Sequence, residues 1–185
     1  MVSLFSLWLP VVLSAVACWI AGAIIWMVLP HHKNDFGRVP DEDATRNALQ
    51  GIAPGQYTIP HIADPAKVSD ADKAKFDQGP VAYVTAVENG FPAMGKKLLL
   101  QMLFLLIVSD IVAYVAAYSL PAGAGYLQVF QIVGTVAWLA YGFASLQDSI
   151  WFGKPWSFTF KGLFDALIYA LLTAGIFGWL WPAAS

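Results

Sequence analysis

Four long apolar blocks constrain the fold of this chain more than any other feature of its sequence. They cover residues 4–29, 98–118, 126–146 and 162–181, and each approaches or exceeds the roughly 20 residues that a helix needs to cross a bilayer. The first block holds no charged side chain. The pattern therefore predicts an all-α membrane protein with four transmembrane helices.

The distribution of basic residues predicts the orientation of these helices. All ten Lys and Arg residues fall either in residues 31–97 or in the connection between the third and fourth blocks. Four crossings place these two segments on one side and both termini on the other. Because Lys and Arg are enriched in cytoplasmic loops, we expect residues 31–97 to be cytoplasmic and both termini to be periplasmic. No basic residue precedes the first block, so we expect a retained helix rather than a cleaved signal peptide.

Composition excludes several classes of protein. Hydrophobic residues make up 58% of the chain and charged residues 12%, whereas soluble proteins carry about 25% charge. The net charge of -2 argues against a nucleic-acid partner. Cys18 is the one cysteine, which excludes a disulfide framework. No phosphate-binding loop or catalytic motif occurs, so we expect no cofactor and assign no catalytic residue.

Residues 31–97 differ in composition from the rest of the chain. They hold eight Lys or Arg and nine Asp or Glu, a density typical of soluble protein. Turn and cap signals predict helices near residues 41–50 and 69–78, and strands at 56–62 and 81–87. The sequence thus predicts a small α+β insert between the first two transmembrane helices. Its few apolar residues predict that it packs on the helix ends or on a partner.

Asp110 is the one acidic residue in the middle of a predicted transmembrane helix. No Lys or Arg occurs in any span to neutralise it, and an ionisable group at such depth marks a candidate functional site. Counting the rise per residue places four other polar residues near its level: Ser14, Gln131, Thr135 and Thr173. We interpret this intramembrane polar cluster as a structural hydrogen-bonded layer. The alternatives are a proton or cation relay and a catalytic acid.

Further polar residues lie near the cytoplasmic ends of the last two spans. Asp148 closes the third span, and Asp165 follows Lys161 by four residues, with Tyr169 four residues further on. This spacing favours an interfacial ion pair between Lys161 and Asp165 and a hydrogen bond to Tyr169. The alternative is that the four residues line a cytoplasmic mouth.

Three histidines are candidate metal ligands. His31 and His32 directly follow the first span, Asp35 follows them, and His61 lies in a predicted strand of the insert. Imidazole and carboxylate bind divalent transition metals. The spacing matches no zinc template, and adjacent histidines are expected to point in different directions. We therefore interpret the histidines as polar interface residues with a charge that varies near neutral pH, and metal binding is the alternative.

The segment at residues 149–160 is crowded with aromatic side chains around a single cation. Trp151 and Trp156 flank Lys154, a composition typical of the headgroup layer of a membrane. We expect an interfacial segment that anchors the fourth span. A lipid phosphate bound to Lys154 is the alternative role.

Small residues recur every four positions along the fourth span, at Gly162, Ala166, Ala170, Ala174 and Gly178. Such a stripe lets another helix backbone approach closely, which favours helix association in lipid. The pattern predicts packing within the bundle, with dimerisation as the alternative.

Two regions resemble small uncharacterised bacterial inner-membrane proteins that carry no assigned activity. The resemblance lies in His31-His32-Lys33-Asn34-Asp35-Phe36 with residues 39–44, and in residues 150–156 with residues 178–182. It implies a bacterial inner membrane and says nothing about a substrate.

Together these features predict a small membrane scaffold or accessory protein rather than an enzyme. We expect its insert to dock a partner protein or another copy, so that the chain forms a homo-oligomer or a complex in contact with membrane lipids. A proton- or cation-coupled small transporter or channel that uses Asp110 is the alternative. An enzyme acting on lipid at the interface ranks third.

Overall fold

The structure, a computed structural model, describes residues 2–184 and is 67% helical. Residues 2–36 and 93–184 form one compact unit, and residues 37–92 form a second. In chain order the helices are α1 (Trp8–Met27), α2 (Glu42–Ala48), α3 (Asp70–Gln78), α4 (Met94–Ser119), α5 (Tyr126–Trp138), α6 (Ser145–Phe152) and α7 (Trp156–Trp179), and the strands are β1 (Gly55–Ile59) and β2 (Ala82–Ala86).

Within the described residues, four helices are long and apolar enough to cross a membrane. They cover Leu4–Met27, Met94–Ser119, Tyr126–Phe152 and Trp156–Trp179. The first includes a short 3-10 turn before α1, and the third joins α5 to α6 through a π-helical segment, Leu139–Phe143. The prediction of four such helices is confirmed.

The predicted interfacial segment at residues 149–160 differs from the observed structure. Helix α6 continues to Phe152, and α7 begins at Trp156 rather than at residue 162. The helices are broken at Gly153, which has the left-handed φ of +64° of a C-terminal cap, and at Pro155. Aromatic side chains do not end a helix, so their clustering was a wrong guide to the end of α6 and to the start of α7.

Small residues allow close packing of α7 against α5 and against the π-helical segment that follows α5. A β-carbon built on Gly134 would lie 3.3 Å from the Cβ of Ala174, and one built on Gly142 would lie 2.8 Å from the Cβ of Ala166. Ala166, Ala170 and Ala174 are all buried. The predicted stripe on the fourth helix is therefore used within the bundle along this stretch.

The unit at residues 37–92 contains the predicted secondary structure. Asp41 caps α2 by accepting a hydrogen bond from the Ala44 N–H at 2.9 Å, and Ser69 and Asp72 form a capping box on α3. Strands β1 and β2 pair antiparallel, with Gly55 opposite Ala86. None of residues 37–92 is buried, so this unit has no hydrophobic core of its own.

Candidate functional site

Polar groups of the first unit meet where the chain leaves α1 and where α7 begins. After α1, Pro30 starts a short 3-10 turn in which the Lys33 N–H donates to the Pro30 carbonyl at 3.1 Å. The Asp35 N–H then donates to the His32 carbonyl at 3.1 Å. This turn brings the carboxylate of Asp35 back to the side chain of His32.

His32 lies at the centre of the site and is held on several sides. Its ring stacks on Trp26, with 3.8 Å between the ring centroids and 3° between the planes. Nδ1 lies 2.5 Å from Asp35 Oδ2, and Nε2 lies 2.7 Å from Asp165 Oδ2. With a carboxylate at each nitrogen, both nitrogens donate and the ring is an imidazolium.

The protonation of His32 reflects two opposing effects. Burial is the largest single effect and lowers the pKa of His32. The hydrogen bonds to Asp35 and Asp165 and the charges of these carboxylates raise the pKa, and together they outweigh burial, so the pKa lies above its usual value. The buried ring therefore carries a charge because its partners stabilise the protonated form.

Asp35 connects His32 to α7. The ammonium of Lys161 donates to Asp35 Oδ1 at 2.5 Å, and the Asp35 side chain is only 2% exposed. The hydrogen bond from Lys161, followed by that from His32, holds the pKa of Asp35 below its usual value. Two carboxylates thus face two cations, and the buried charges balance.

His31 and Asp165, at the other end of the site, each have a polar atom without a hydrogen bond. His31 Nε2 lies 3.3 Å from Asp165 Oδ1, yet neither atom makes a hydrogen bond with acceptable geometry. Asp165 is 4% exposed. One oxygen of a buried carboxylate and one imidazole nitrogen are therefore adjacent without a hydrogen bond to satisfy either.

Three of the four predicted metal ligands belong to the first unit, and the structure brings them together. His31, His32 and Asp35 lie in one cluster, where the two histidine rings are 4.7 Å apart and both face Asp165. The expectation that adjacent histidines diverge was wrong because the tight turn after Pro30 directs both rings toward α7. His61 lies in the second unit, where its Nδ1 is 3.2 Å from the hydroxyl of Thr58.

The predicted cytoplasmic mouth divides into three places. Asp165 and Lys161 belong to the cluster, but Lys161 pairs with Asp35 and Asp165 faces the histidines. Asp148 instead lies 3.6 Å from Lys154. Tyr169 packs its ring on Tyr141, with 5.8 Å between the centroids. Lys161 and Asp165, which were expected to pair with each other, therefore each pair with the segment that follows α1.

The predicted intramembrane layer does not assemble as one cluster. Ser14 and Thr173 are fully buried, whereas Asp110, Gln131 and Thr135 lie on exposed helix faces. Thr173 donates to the Tyr169 carbonyl one turn earlier at 2.8 Å. The rise per residue predicts a similar depth for these residues, but depth alone does not set which way a side chain points around its helix axis.

The residues predicted to meet lipid headgroups are accessible. Trp151 and Trp156 are exposed, and Trp151 donates its indole N–H to Gln147 at 3.1 Å. The ammonium of Lys154 lies 4.2 Å from the ring centroid of Phe158 as well as near Asp148. Lys154 is therefore already engaged by a ring and a carboxylate within the chain.

Sequence reasoning missed Trp26 as the platform for His32 and Lys161 as the partner of Asp35. The separation along the chain is 126 residues between Lys161 and Asp35 and 133 between His32 and Asp165, so no local spacing could reveal either contact. Comparison of the chain with protein-family models, with curated proteins and with solved structures gave no match.

Proposed function

We propose that this chain is a small multi-pass protein of the bacterial inner membrane that works as a non-enzymatic scaffold, with residues 37–92 docking another protein. Four long apolar helices support the membrane location. They expose large apolar side chains such as Phe5 at 92%, Met27 at 82% and Leu99 at 70%, and such a surface is suited to lipid. The placement of all ten basic residues supports a cytoplasmic insert and periplasmic termini.

The observation that carries the docking role is the absence of any buried side chain in residues 37–92. The unit is ordered by helix caps and a paired sheet, yet it exposes Tyr57 at 37%, Val81 at 53%, Val87 at 75% and Phe91 at 97%. A soluble unit this small gains little stability from its own core. A partner protein that covered these apolar side chains would therefore stabilise the unit.

The sheet offers a second means of attachment. β1 and β2 pair only with each other among the described residues, so each strand presents one unpaired edge of N–H and C=O groups. Extended segments of other proteins bind to such edges by adding a strand. A partner that supplies an extended apolar segment would satisfy both the edge and the exposed side chains.

Photo-crosslinking in intact cells tests this proposal. A photoreactive residue at Val87 or Tyr57 should give a discrete adduct, because these positions would face the docked chain. The same residue at Asp43, which is exposed on α2 of the same unit, serves as the control and should give little. Adduct mass separates another copy of this 20.1 kDa chain from a different protein. Unreacted protein at all three positions would contradict docking.

Self-association in the membrane is supported by Asp110. Among the described residues no hydrogen bond or ion pair involves it, and it lies exposed between Ile107 and Ile111. It is about 14 Å from the end of α4, and Thr135 is about 14 Å from the start of α5, at 1.5 Å per residue. A two-fold axis along the membrane normal preserves depth, so a second copy could set Thr135 or Gln131 against Asp110.

The alternative function is a proton- or cation-coupled transporter or channel. It draws support from the same exposed Asp110, because polar groups on α4 and α5 would line a path between copies rather than through one bundle. Flux into liposomes separates the two functions. A scaffold gives the same background leak for the natural protein and for Asp110→Asn, whereas a transporter loses flux in the variant. An enzyme acting at the lipid interface stays a third prediction.

A further inference from the structure

The buried cluster contains polar atoms that its ion pairs leave without a partner. Asp35 and Asp165 neutralise Lys161 and the His32 imidazolium, so the charges of these four groups balance without His31. Asp165 Oδ1 and His31 Nε2 are left without a hydrogen bond. A buried carboxylate oxygen without a partner is costly, and this cost points to a ligand that the ion pairs do not account for.

We propose that His31, His32 and Asp165 form a binding site for a first-row divalent transition metal ion, with Zn²⁺ as the reference ion. One ligand atom from each residue lies within 4.8 Å of the other two. A set of two imidazole nitrogens and one carboxylate oxygen favours such ions over magnesium or calcium.

The distance between His31 and Asp165 is close to that between two donors on a tetrahedral ion. Metal bonds of about 2.0–2.1 Å at tetrahedral angles place neighbouring donors about 3.3 Å apart. His31 Nε2 and Asp165 Oδ1 are already 3.3 Å apart, whereas His32 Nε2 lies 2.7 Å from the other oxygen, Oδ2. The two imidazoles thus face the two oxygens of one carboxylate, and an ion that replaces the proton between His32 and Oδ2 would move that closer pair apart.

The residues around His32 are arranged as the outer shell of a metal site. A metal-bound histidine commonly donates its other ring N–H to a carboxylate, which fixes the ring. His32 Nδ1 has this contact with Asp35, and Lys161 in turn holds Asp35. Trp26 fixes the plane of the ring by stacking on it. His32 Nε2 is therefore already directed at the proposed ion.

The proton balance and access to the site are both accounted for. Binding replaces the proton on His32 Nε2, which leaves to water, while Asp35 keeps its hydrogen bond to Nδ1. Three protein ligands leave one position for water, as in zinc sites that remain open. The His31 side chain is 30% exposed, and a cleft of about 430 Å³ lined by residues 26–30, His32 and Lys33 opens beside the cluster.

Zinc titration of the full chain tests the proposal directly. The protein is purified in detergent without a polyhistidine tag, stripped of metal and titrated with Zn²⁺ in a calorimeter. We expect one ion per chain, and at least about 10-fold weaker binding in His31→Gln and in Asp165→Asn, since even outer-shell changes cost 10–100-fold. His61→Gln removes a histidine of the second unit that is not one of the proposed ligands, and this variant should bind as the natural protein does.

Further measurements separate lost binding from lost folding. His31 Nε2 makes no hydrogen bond, so His31→Gln should keep the melting temperature of the metal-free protein but lose the rise that Zn²⁺ produces. Asp35→Asn changes a positioning residue and should weaken binding about 10–100-fold, while Co²⁺ still gives a four-coordinate absorption spectrum. A natural protein that takes up no stoichiometric Zn²⁺, or a His31→Gln variant that binds as tightly, would overturn the proposal. Zinc binding lost only in His61→Gln would also overturn it.

Discussion

The contact between Gly142 and α7 gives a sharp test of how this bundle is held together. A β-carbon at position 142 would lie 2.8 Å from the Cβ of Ala166 and 3.0 Å from Cδ2 of Leu163. The leucine tip can rotate away, but the Cβ of Ala166 moves only with the backbone of α7. Gly142→Ala should therefore push the two helices apart.

The size of the effect follows from two opposing contributions. Alanine favours a helix over glycine by about 0.5–1 kcal/mol, whereas overpacking a tight contact costs about 1–3 kcal/mol. The sum predicts a net loss in the free energy of unfolding within about 0–2.5 kcal/mol, with a midpoint of about 1 kcal/mol. Gly162→Ala is the matched control, because a β-carbon there meets nothing within 4 Å, and it should be neutral or stabilising.

Unfolding by sodium dodecyl sulfate in mixed micelles, followed by circular dichroism, measures both variants. A double-mutant cycle with Ala166→Gly isolates the contact, since removing the facing methyl should relieve the clash in Gly142→Ala. We expect a favourable coupling of about 1 kcal/mol or more, within the range seen for residues in contact. If Gly142→Ala is as stable as Gly162→Ala, or if the cycle shows no coupling, close approach of the π-helical segment to α7 does not stabilise the bundle.

Three further predictions concern other parts of the chain. Asp110→Leu should weaken self-association about 3–30-fold by fluorescence transfer in liposomes, because an intramembrane hydrogen bond contributes about 0.6–2 kcal/mol; equal association would contradict pairing through this face. Hydrogen bonds from the Ser69 hydroxyl and, to a smaller extent, from the Ser69 N–H lower the pKa of Asp72. The Asp72 carboxylate therefore stabilises the fold above about pH 4, and this stabilisation is lost as the pH falls through the folded-state pKa. In Ser69→Ala the carbon-13 titration of Asp72 should shift to higher pH, and an unchanged midpoint would refute the cap. Ala122→Cys should react with an impermeant label on the periplasmic side while Ala71→Cys does not, and the reverse pattern would invert the orientation.

Features that depend on one helix at a time were predictable from the sequence. Apolar length alone located four helices, since a helix must satisfy its backbone within an apolar run. The caps at Asp41 and Ser69 were equally readable, because each side chain bonds to a backbone group only three residues away. The boundaries around Gly153 were misplaced because aromatic content was taken as a stop signal, whereas backbone conformation ended the helix.

The rotation of a helix about its axis was much harder to predict than its depth. Asp110 lies within the predicted helix, but that helix buries the face that carries Val108, Ser109 and Val112. A soluble helix reveals its buried face by contrast with polar residues. On α4 nearly every side chain is apolar, so the sequence contains no contrast from which to infer that Asp110 points outward.

The histidine and carboxylate cluster shows why pair spacing misled as well. The spacing of Lys161 and Asp165 suggested an ion pair along one helix, yet the observed order of contacts is Lys161, Asp35, His32, Asp165. Each inner member bonds on both sides, because carboxylates have two oxygens and imidazole has two nitrogens. Two separate local pairs would leave half of these buried atoms unsatisfied. The crossed arrangement satisfies them and ties the end of α1 to the start of α7, leaving only the side of Asp165 that faces His31 open to an ion.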